Sequence, residues 1–558
     1  MQRMKFAGKP EKASRRAICF EAPQIAWRDA GSRMAVFRML RHRRFGMGID
    51  MASRGLLIDN ADNVLTLTAA AGKGETVLYR EGEKEASVTA AEEIPVFHKM
   101  ARRDIARGAF VMKYGQVIGV ALTDIKCGEW VHTHNLASQP IEERRKGLSA
   151  AGEKRKRTVQ EAEEGRADAS LPRTIRGYRR PDGRFGIRNY VLLLPCSLCA
   201  SETARFVSQQ VPGCIFVPNQ GGCSLSKRDY EMTIDTLSGM AANPNVYGTL
   251  LIGNGCEVMQ AEAVEKAILE KTCKPVEKLV IRECGGSIQT MARAEAILKR
   301  MLEEASRVEE EAADISELIL GTECGGSDPT SGLAANPAVG VVTDLLTGFG
   351  GTSILSETPE MIGAEQQLAD RCETKELGDE LLSMIETYEE EFTNVGENPR
   401  NGNPTPGNIA GGITTLEEKS LGCVHKSGSA TVTEVIGYAK PICRKGLIVM
   451  DTPGQDIASI AGMAAAGAQV VLFTTGHGTP TGFGIVPVIK VTGNRETAAL
   501  MKDHIDCDCS DVLEGTVSLE EKGKEMFRQM VSVACGAKTK AEELGFQDMS
   551  IARYCNFA

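Results

Sequence analysis

The sequence Glu-Cys-Gly-Gly-Ser occurs twice, at residues 283–287 and at residues 323–327, and each copy directly follows a short apolar stretch. Two related groups, Cys196-Ser-Leu-Cys199 and Gly253-Asn-Gly-Cys-Glu257, also follow apolar stretches. Glycine lets the backbone approach a ligand, and successive N–H groups at the start of a helix can bind an anion. A single motif of this kind often only turns the chain. Its repetition at predicted strand ends predicts a functional rim, that is, a ligand-binding edge formed by these motifs.

His132-Thr-His134-Asn135 is a second candidate, in a chain with only seven histidines. Residues two apart on a strand face the same side, so both imidazoles could bind one metal ion or one carboxylate. The alternative, a pair of exposed strand histidines, stays open.

Three further groups have chemical potential. Thr474-Thr-Gly-His477 follows an apolar stretch and combines hydroxyls, backbone amides and an imidazole. Glu357, Glu360 and Glu365 open a predicted helix, where carboxylates in the first turn are ordinary caps, so capping is at least as good an explanation as catalysis. The pair Cys196-x-x-Cys199 lacks a matching second pair, which disfavours a four-thiolate zinc site and leaves an iron–sulfur or redox site as an alternative.

The predicted secondary structure that positions these motifs changes along the chain from short strands to alternating strands and helices. Residues 55–135 contain short strands and glycine turns, including a hairpin pattern at 109–122, and predict a small β module. A highly charged stretch at 139–168 is typical of a solvated linker. Beyond Arg173, apolar strands followed by helical patterns of 10–15 residues predict parallel βαβ units. The carboxyl ends of such strands face the ligand crevice, and the motifs fall there.

Composition narrows the class of protein. The 558 residues carry a net charge of −9, but residues 1–50 are basic, with a net charge of +8, and the body is acidic, which disfavours nucleic-acid binding. No window approaches the roughly 18 apolar residues of a membrane span. Seventeen cysteines without an export signal predict free thiols in a reducing cytoplasm. The basic head is predicted to be a disordered extension.

From about Leu57 to the end, the motifs occur in the order of a known family. Residues 112–119 and 124–136 resemble the SAF-type module that begins the altronate and galactarate dehydratases, and residues 177–189 resemble the start of that family's second domain. The later parts of the family are matched at residues 243–248, 255–257, 324–337, 355–360, 403–408, 418–422, 473–476 and 487–490.

This resemblance and the strand pattern together predict an α/β protein in which a small β-rich SAF (β-clip) module precedes two α/β domains with mainly parallel sheets. The predicted boundaries are 1–50 for the basic extension, 51–138 for the SAF-type module, 139–172 for the linker, 173–312 for the second domain and 313–558 for the carboxyl-terminal domain.

The resemblance implies a metal-dependent carbon–oxygen hydro-lyase that converts a hexonate or hexarate, of the altronate or galactarate type, to a 2-keto-3-deoxy acid. Such an elimination needs a base, an acid and a cation that stabilises the enediolate. The expected ion is Fe²⁺, with Mn²⁺ as the second choice. We also expect a homodimer in the cytoplasm, with no nucleic-acid or membrane partner.

Specific residues are assigned to these roles as expectations. The predicted metal ligands are His132, His134, Cys256, Glu257, Cys324 and Asp328. The predicted catalytic residues, with base, acid and carboxylate clamp unassigned among them, are His132, His134, Lys419, His477 and Lys490. The predicted substrate contacts are Asn135, Arg188, Asn189, Ser327, Thr474 and Thr475.

Three departures from the family pattern bear on the substrate. The chain has Asn219-Gln-Gly-Gly-Cys223 where a histidine is expected before Gly-Cys, Asn243 where His-Pro-Asn is expected, and His477 where Gly-Arg-Gly is expected. They leave the choice of sugar acid open. Related chains act as sulfolactate sulfo-lyases, in which sulfite leaves in place of water, so a sulfo-lyase and a Cys-ligated iron–sulfur or redox enzyme remain alternatives.

Overall fold

The computed structural model describes residues 55–82, 84–139 and 170–554, all of which belong to one compact unit. The predicted basic extension and most of the predicted linker lie outside these residues. The described residues form three regions: the β module (55–139), the second domain (170–314) and the third domain (315–554).

The β module is built from short antiparallel strands with an apolar interior. In the predicted hairpin, Lys113 pairs with Gln116 across a two-residue turn whose Tyr114 and Gly115 have φ angles of 62° and 68°. Positive φ at both positions is the geometry that matches the twist of a tight hairpin. The strands are β1 (Gly55–Leu56), β2 (Val64–Leu67), β3 (Thr76–Glu81), β4 (Lys84–Thr89), β5 (Lys99–Ala101), β6 (Phe110–Lys113), β7 (Gln116–Ala121), β8 (Trp130–Val131) and β9 (Leu136–Ala137).

The second domain combines a small antiparallel sheet, in the order β11-β10-β16, with a four-stranded parallel sheet in the order β13-β12-β14-β15. Its strands are β10 (Thr174–Arg179), β11 (Phe185–Gly186), β12 (Tyr190–Pro195), β13 (Cys214–Phe216), β14 (Val246–Gly253), β15 (Val276–Val280) and β16 (Glu311–Asp314). Its helices are α1 (Leu198–Gln210), α2 (Lys227–Ala242), α3 (Ala261–Lys271), α4 (Ile281–Cys284) and α5 (Ser287–Ser306). The central strands are apolar because helices cover both faces of the sheet.

The third domain contains a seven-stranded parallel sheet in the order β19-β20-β18-β17-β21-β22-β23. The strands are β17 (Ile319–Gly325), β18 (Thr352–Leu355), β19 (Val432–Ile436), β20 (Gly446–Met450), β21 (Val470–Thr475), β22 (Val488–Thr492) and β23 (Cys507–Asp508). The helices are α6 (Asn336–Gly348), α7 (Glu365–Ala369), α8 (Lys375–Asn394), α9 (Pro406–Ala410), α10 (Leu416–Val424), α11 (Asp456–Ala466), α12 (Arg495–Leu500), α13 (Ser510–Leu513), α14 (Leu519–Ala534) and α15 (Lys540–Leu544).

Two asparagines of one motif hold the second domain against the third. Asn243 Nδ2 donates to the carbonyls of Ala464 (2.7 Å) and Ala468 (2.8 Å), and Asn245 Nδ2 donates to those of Gln469 (2.9 Å) and Ile485 (3.0 Å). All four bonds are buried, where an unmade bond is costly, so the pair fixes the relative position of the two parallel sheets.

The predicted fold class is confirmed: a β-rich amino-terminal module precedes α/β regions with parallel sheets. No helix among the described residues is long and apolar enough to cross a membrane.

Candidate active site

A buried cluster of acidic, thiol and amine groups lies at the carboxyl ends of β17 and β18. The Lys426 ammonium contacts the Glu357 carboxylate, and these side chains are 0% and 1% exposed. Lys426 Nζ also donates to the sulfur of Cys423 at 3.1 Å, and the backbone N–H of Cys324 donates to Glu357 Oε2 at 3.0 Å. The carboxyl edge of a parallel sheet is the usual ligand crevice, and this one concentrates ionisable groups out of water.

Glu357 is held in a strained backbone conformation. Its φ is 70°, in the left-handed region that residues other than glycine seldom adopt. Its N–H donates to Thr452 Oγ1 at 2.6 Å, and the next residue, Thr358, donates its hydroxyl to Asp451 at 2.6 Å. Strain of this kind persists only where surrounding bonds enforce it, and it concentrates at functional sites.

Two further carboxyl groups complete the acidic side of the cluster. Glu323, fully buried, accepts hydrogen bonds from Ser459 (2.6 Å) and Ser356 (3.1 Å), while its Oε1 has no partner among the described residues. Asp456, at the start of α11, lies against the backbone of Gly325, where a Cβ atom would collide with its carboxylate. Gly325 is therefore required for this approach.

Burial and mutual charge shift the proton affinities of these groups. Burial raises the pKa of Glu357 to about 8 even though Lys426 opposes the shift, and burial raises the pKa of Asp456 to about 6. Burial also raises the pKa of Glu323 well above its ordinary value. The hydrogen bond from Cys423, with the charge of Lys426, lowers the pKa of the Cys324 thiol well below its ordinary value. Groups with proton affinities near neutrality suit acid–base catalysis.

Lys419 forms the outer part of the cluster. Its Nζ donates to Glu360 Oε1 at 2.7 Å and to Asn403 Oδ1 at 2.8 Å. The other oxygen of Glu360 is buried without a hydrogen bond to a described residue. Burial lowers the pKa of Lys419, but the charge of Glu360 outweighs it and the net shift is upward, so the amine is cationic.

Four predicted substrate or metal contacts surround this cluster. Ser327 Oγ lies 3.1 Å from Cys324 Sγ, and Thr474 Oγ1 donates to Asn336 Oδ1 at 2.6 Å. The hydroxyl of Thr475 instead accepts the amides of the following turn, including that of Gly478 at 3.0 Å. Asp328 is occupied: Thr330, Ser331 and Asn494 all donate to its carboxylate. Ser327 is thus the one best placed to meet a ligand.

The β module contributes directly to this site through a buried ion triad. Glu418 Oε2 lies 2.8 Å from Lys99 Nζ and Glu418 Oε1 lies 2.8 Å from Lys113 Nζ, and all three side chains are at most 3% exposed. Lys113 and Lys99 lower the pKa of Glu418 against the effect of burial. Lys113 and Tyr114 also line a small cavity with Cys324. The module therefore forms one wall of the site.

The two histidines of the predicted pair differ in their surroundings. His132 is buried, and its Nε2 lies 3.1 Å from the carbonyl oxygen of Ile409 in α9, whereas His134 is exposed and packs on Trp130. His98, which was not predicted, stacks on His132 with ring centroids 5.0 Å apart. Asn135 binds within the module, to the carbonyl of Trp130 at 2.8 Å.

Several other predicted residues have structural partners. The Glu257 carboxylate accepts the amides of Asn254 (2.7 Å), Gly255 (2.6 Å) and Cys256 (2.9 Å) in the second domain, and Cys256 is exposed. Arg188 pairs with Glu542 at 2.8 Å, and Asn189 donates to the carbonyl of Ala305 at 2.8 Å.

The two remaining predicted catalytic residues differ in exposure. Lys490 is buried without a hydrogen-bond partner for its amine among the described residues, and burial lowers its pKa to about 8. His477 is exposed and lies beside Gly326, close to Ser327. The catalytic, binding and ligand roles given to all of these residues stay predictions.

The predicted ligands do not assemble into a metal site. Within the described ranges, no three His, Cys, Asp or Glu side chains are placed to hold one ion. Because the donor set does not fit, no chemical step is assigned here to a bound ion.

The sequence indicated only part of the cluster. Cys324, Ser327 and Lys419 were predicted, but Glu357 was equally well explained as a cap, and Glu323, Cys423 and Lys426 were missed. The available signal was a carboxylate in each of the strand-end motifs Glu323-Cys-Gly-Gly-Ser327 and Ser356-Glu-Thr-Pro-Glu360.

Family models match the three regions in order. Residues 53–139 match the altronate/galactarate dehydratase SAF domain, residues 177–306 the second domain of D-galactarate dehydratase/altronate hydrolase, and residues 315–556 the carboxyl-terminal domain of D-galactarate/altronate dehydratase.

Curated relatives extend over most of the chain. Altronate dehydratase of Escherichia coli is 34% identical over 501 residues, which are 88% of this chain and 97% of that protein. Galactarate dehydratase (L-threo-forming) of the same organism is 30% identical over 80% of this chain and 87% of its own. The beta subunit of (2R)-sulfolactate sulfo-lyase from Chromohalobacter salexigens is 34% identical over 68% of this chain and 97% of its own, and its alpha subunit is 32% identical over 82 residues.

These matches confirm the predicted family, the SAF module and the hydro-lyase class. The chain belongs to the altronate/galactarate dehydratase family of hydro-lyases.

Proposed function

We propose that the chain dehydrates a sugar acid of the altronate or galactarate type to a 2-keto-3-deoxy acid at the cluster around Cys324 and Glu357. The main support is the buried contact of Lys426 with Glu357 and Cys423 at the edge of the third-domain sheet, where burial raises the pKa of Glu357 to about 8 and that of Asp456 to about 6. The names of the relatives supply the class of substrate.

The elimination needs two proton transfers. A base removes the proton from C2, an acid protonates the hydroxyl that leaves C3 as water, and the resulting enol becomes the 2-keto acid. Two groups with separated pKa values suit this division of work. Asp456, with a pKa of about 6, is proposed as the base, and Glu357, with a pKa of about 8 and supported by Lys426, as the acid.

Lys419 is proposed to bind the substrate carboxylate. Its amine is cationic and lies at the outer side of the cluster, next to Asn403. A charged hydrogen bond of this kind contributes about 1.5–3 kcal/mol to binding. Ser327 and His477 lie at the same rim.

A sulfo-lyase is the second candidate. The relatives include both subunits of a sulfolactate sulfo-lyase, and the larger match covers 97% of the beta subunit. The same base would act next to the carboxylate, with sulfite as the leaving group.

The test is a panel of altronate, galactarate and sulfolactate, with 2-keto acid and sulfite measured separately in the same reactions. The proposal predicts keto acid without sulfite. Lys419→Gln should raise KM for the sugar acid by about tenfold or more, while Lys538→Gln, an exposed lysine elsewhere, should change nothing. Sulfite release from sulfolactate alone would favour the second candidate.

The divalent ion expected from the resemblance is tested in the same panel. If the reaction requires this ion, exhaustive chelation should abolish it, and added Fe²⁺ or Mn²⁺, but not buffer alone, should restore it. Full activity after verified removal of metal would overturn this expectation.

A further inference from the structure

A small polar pocket in the second domain, distinct from the candidate active site, surrounds one arginine. The cavity has a volume of about 260 Å³ and lies against the loop that follows β13, next to the carboxyl-terminal segment 549–554. Among the described residues, Arg553 is the only ionisable side chain in its lining; the other polar groups are amides and hydroxyls of Asn219, Gln220, Thr233 and Ser550. The pocket therefore has a positive charge that its own walls do not neutralise.

Arg553 has no counter-ion among the described residues. Within the described part of the chain, its guanidinium makes no hydrogen bond or ion pair to another residue. It packs instead on the backbone of Gly221, where a Cβ atom would collide with Nη2 of Arg553. The guanidinium thus keeps its donors available to a ligand.

The segment that carries Arg553 is anchored on both sides. The N–H of Tyr554 donates to Asp229 at 2.7 Å, and the Arg228 guanidinium stacks on the Tyr554 ring at 3.2 Å from its centroid. Asn219, on the facing loop, is buried, donates to the carbonyl of Cys196 at 3.0 Å and accepts from the N–H of Gly221 at 2.8 Å. Both walls are therefore fixed before a ligand arrives.

The pocket lies at the carboxyl edge of the second-domain sheet. The loop that lines it follows β13, the edge strand in the order β13-β12-β14-β15, and is joined to the loop after β12 by a bond from the N–H of Leu198 to the carbonyl of Gly221 at 2.8 Å. Ligands of open α/β sheets bind outside the carboxyl ends of the strands.

We propose that this pocket is a second binding site, for the carboxylate of a small hydroxy acid. Arg553 pairs with the carboxylate, because its planar donors match that group, and the neutral amides and hydroxyls meet the ligand's hydroxyl groups. The choice of a sugar acid as the ligand rests on the proposed function. The volume accommodates one such molecule, and a neighbouring cavity of about 480 Å³ shares Ser550, Ile551 and Arg553 in its lining.

Isothermal titration calorimetry of the full chain with galactarate, and in parallel with inorganic phosphate, tests the proposal. Arg553→Gln should weaken one class of galactarate site by about tenfold or more, since a charged contact is lost. Gly221→Ala should act in the same direction, because the added methyl group displaces the guanidinium while leaving its charge. Arg528→Gln, another exposed arginine, and Gly402→Ala, where a Cβ meets nothing, are the matched controls.

Lys419→Gln separates this pocket from the candidate active site, because the Arg553-dependent signal should survive in that variant. Galactarate binding that is unaffected by Arg553→Gln and Gly221→Ala would overturn the proposal, as would phosphate that binds as tightly as galactarate. If galactarate binds with this dependence but is not dehydrated, the proposed function fails and the pocket stands.

Discussion

The two copies of Glu-Cys-Gly-Gly-Ser end strands of two different parallel sheets, but their surroundings are opposite. In the second domain, Glu283 is exposed and Cys284 lies in a short helix that ends at Gly285, with φ 85°. In the third domain, Glu323 is fully buried and Cys324 lies within a cluster that includes Lys426. The same five residues therefore turn the chain in one place and assemble ionisable groups in the other.

The difference comes from what covers each edge. Helix α10 and the β module cover the third-domain edge and bring Lys426 and the Lys99–Glu418–Lys113 triad into it. At the second-domain edge, Cys199, Cys223 and Cys256 are exposed. A motif at a strand end thus acquires shifted proton affinities only when other elements exclude water from it.

Removing the cation from the covered edge should have the largest effect on stability. Lys426→Met leaves buried acidic groups without a counter-ion, and we expect the free energy of unfolding to fall by about 3–5 kcal/mol. The matched change at the second-domain edge is Arg293→Met, since Nη1 of the exposed Arg293 lies 3.8 Å from Cys284 Sγ. Its free energy of unfolding should stay within about 0.5 kcal/mol of wild type. Urea denaturation of both variants measures the contrast, and equal losses would contradict it.

Glu418→Gln tests whether the β module is held by its buried triad. The change removes the one negative charge of the triad, so Lys99 and Lys113 face each other without a counter-ion and we expect a destabilisation of about 3 kcal/mol. Hydrogen exchange should show the increase first at the β6–β7 hairpin, where Lys113 lies. Unchanged protection of that hairpin would show that other contacts hold the module.

The pH dependence of kcat/KM sharpens the comparison further. Asp456 must be ionised to accept a proton, so the rate should fall below about pH 6, and Glu357 must be protonated to donate one, so it should fall above about pH 8. Each limb should approach a tenfold loss per pH unit. Asp456→Asn should lower the rate and remove the acidic limb; an acidic limb that persists in that variant would exclude Asp456 as the base.

Thiol reactivity should separate the two edges without affecting stability. The exposed Cys199, Cys223 and Cys256 should be alkylated rapidly by iodoacetamide, whereas Cys324 and Cys423 should react much more slowly, because both are buried. Peptide mass spectrometry at short times measures this. Early labelling of Cys324 would mean that the covered edge opens readily to solvent.

The sequence was sufficient to predict the architecture and the strand-end motif that contributes to the site. Apolar strands followed by helices predicted both parallel sheets, and an alternating pattern interrupted at Gly115 and Gly119 predicted the β6–β7 hairpin. Cys324 and Ser327 were located because the strand-end motif repeats.

The sequence was not sufficient to predict the contacts that form the cluster around Glu357 and Lys426. Lys426 and Glu357 are 69 residues apart, and Lys99 and Glu418 are 319 apart, so no local pattern joins them. Glu357 resembles a helix cap by position, and only its positive φ and its contact with Lys426 distinguish it. The two-residue spacing of His132 and His134 predicted that both contribute to the site, but in the structure His132 contacts the backbone of α9.

The most direct test of the central claim is the rate at which the Glu357→Gln variant forms 2-keto acid from altronate and galactarate. The comparison is Glu283→Gln, in the second-domain copy of Glu-Cys-Gly-Gly-Ser. For Glu357→Gln, assayed at a temperature at which the variant is folded, we expect a loss of at least about 100-fold, because an acid that donates a proton is removed. For Glu283→Gln we expect a rate within about twofold of wild type. A folded Glu357→Gln enzyme that works at the wild-type rate would contradict it.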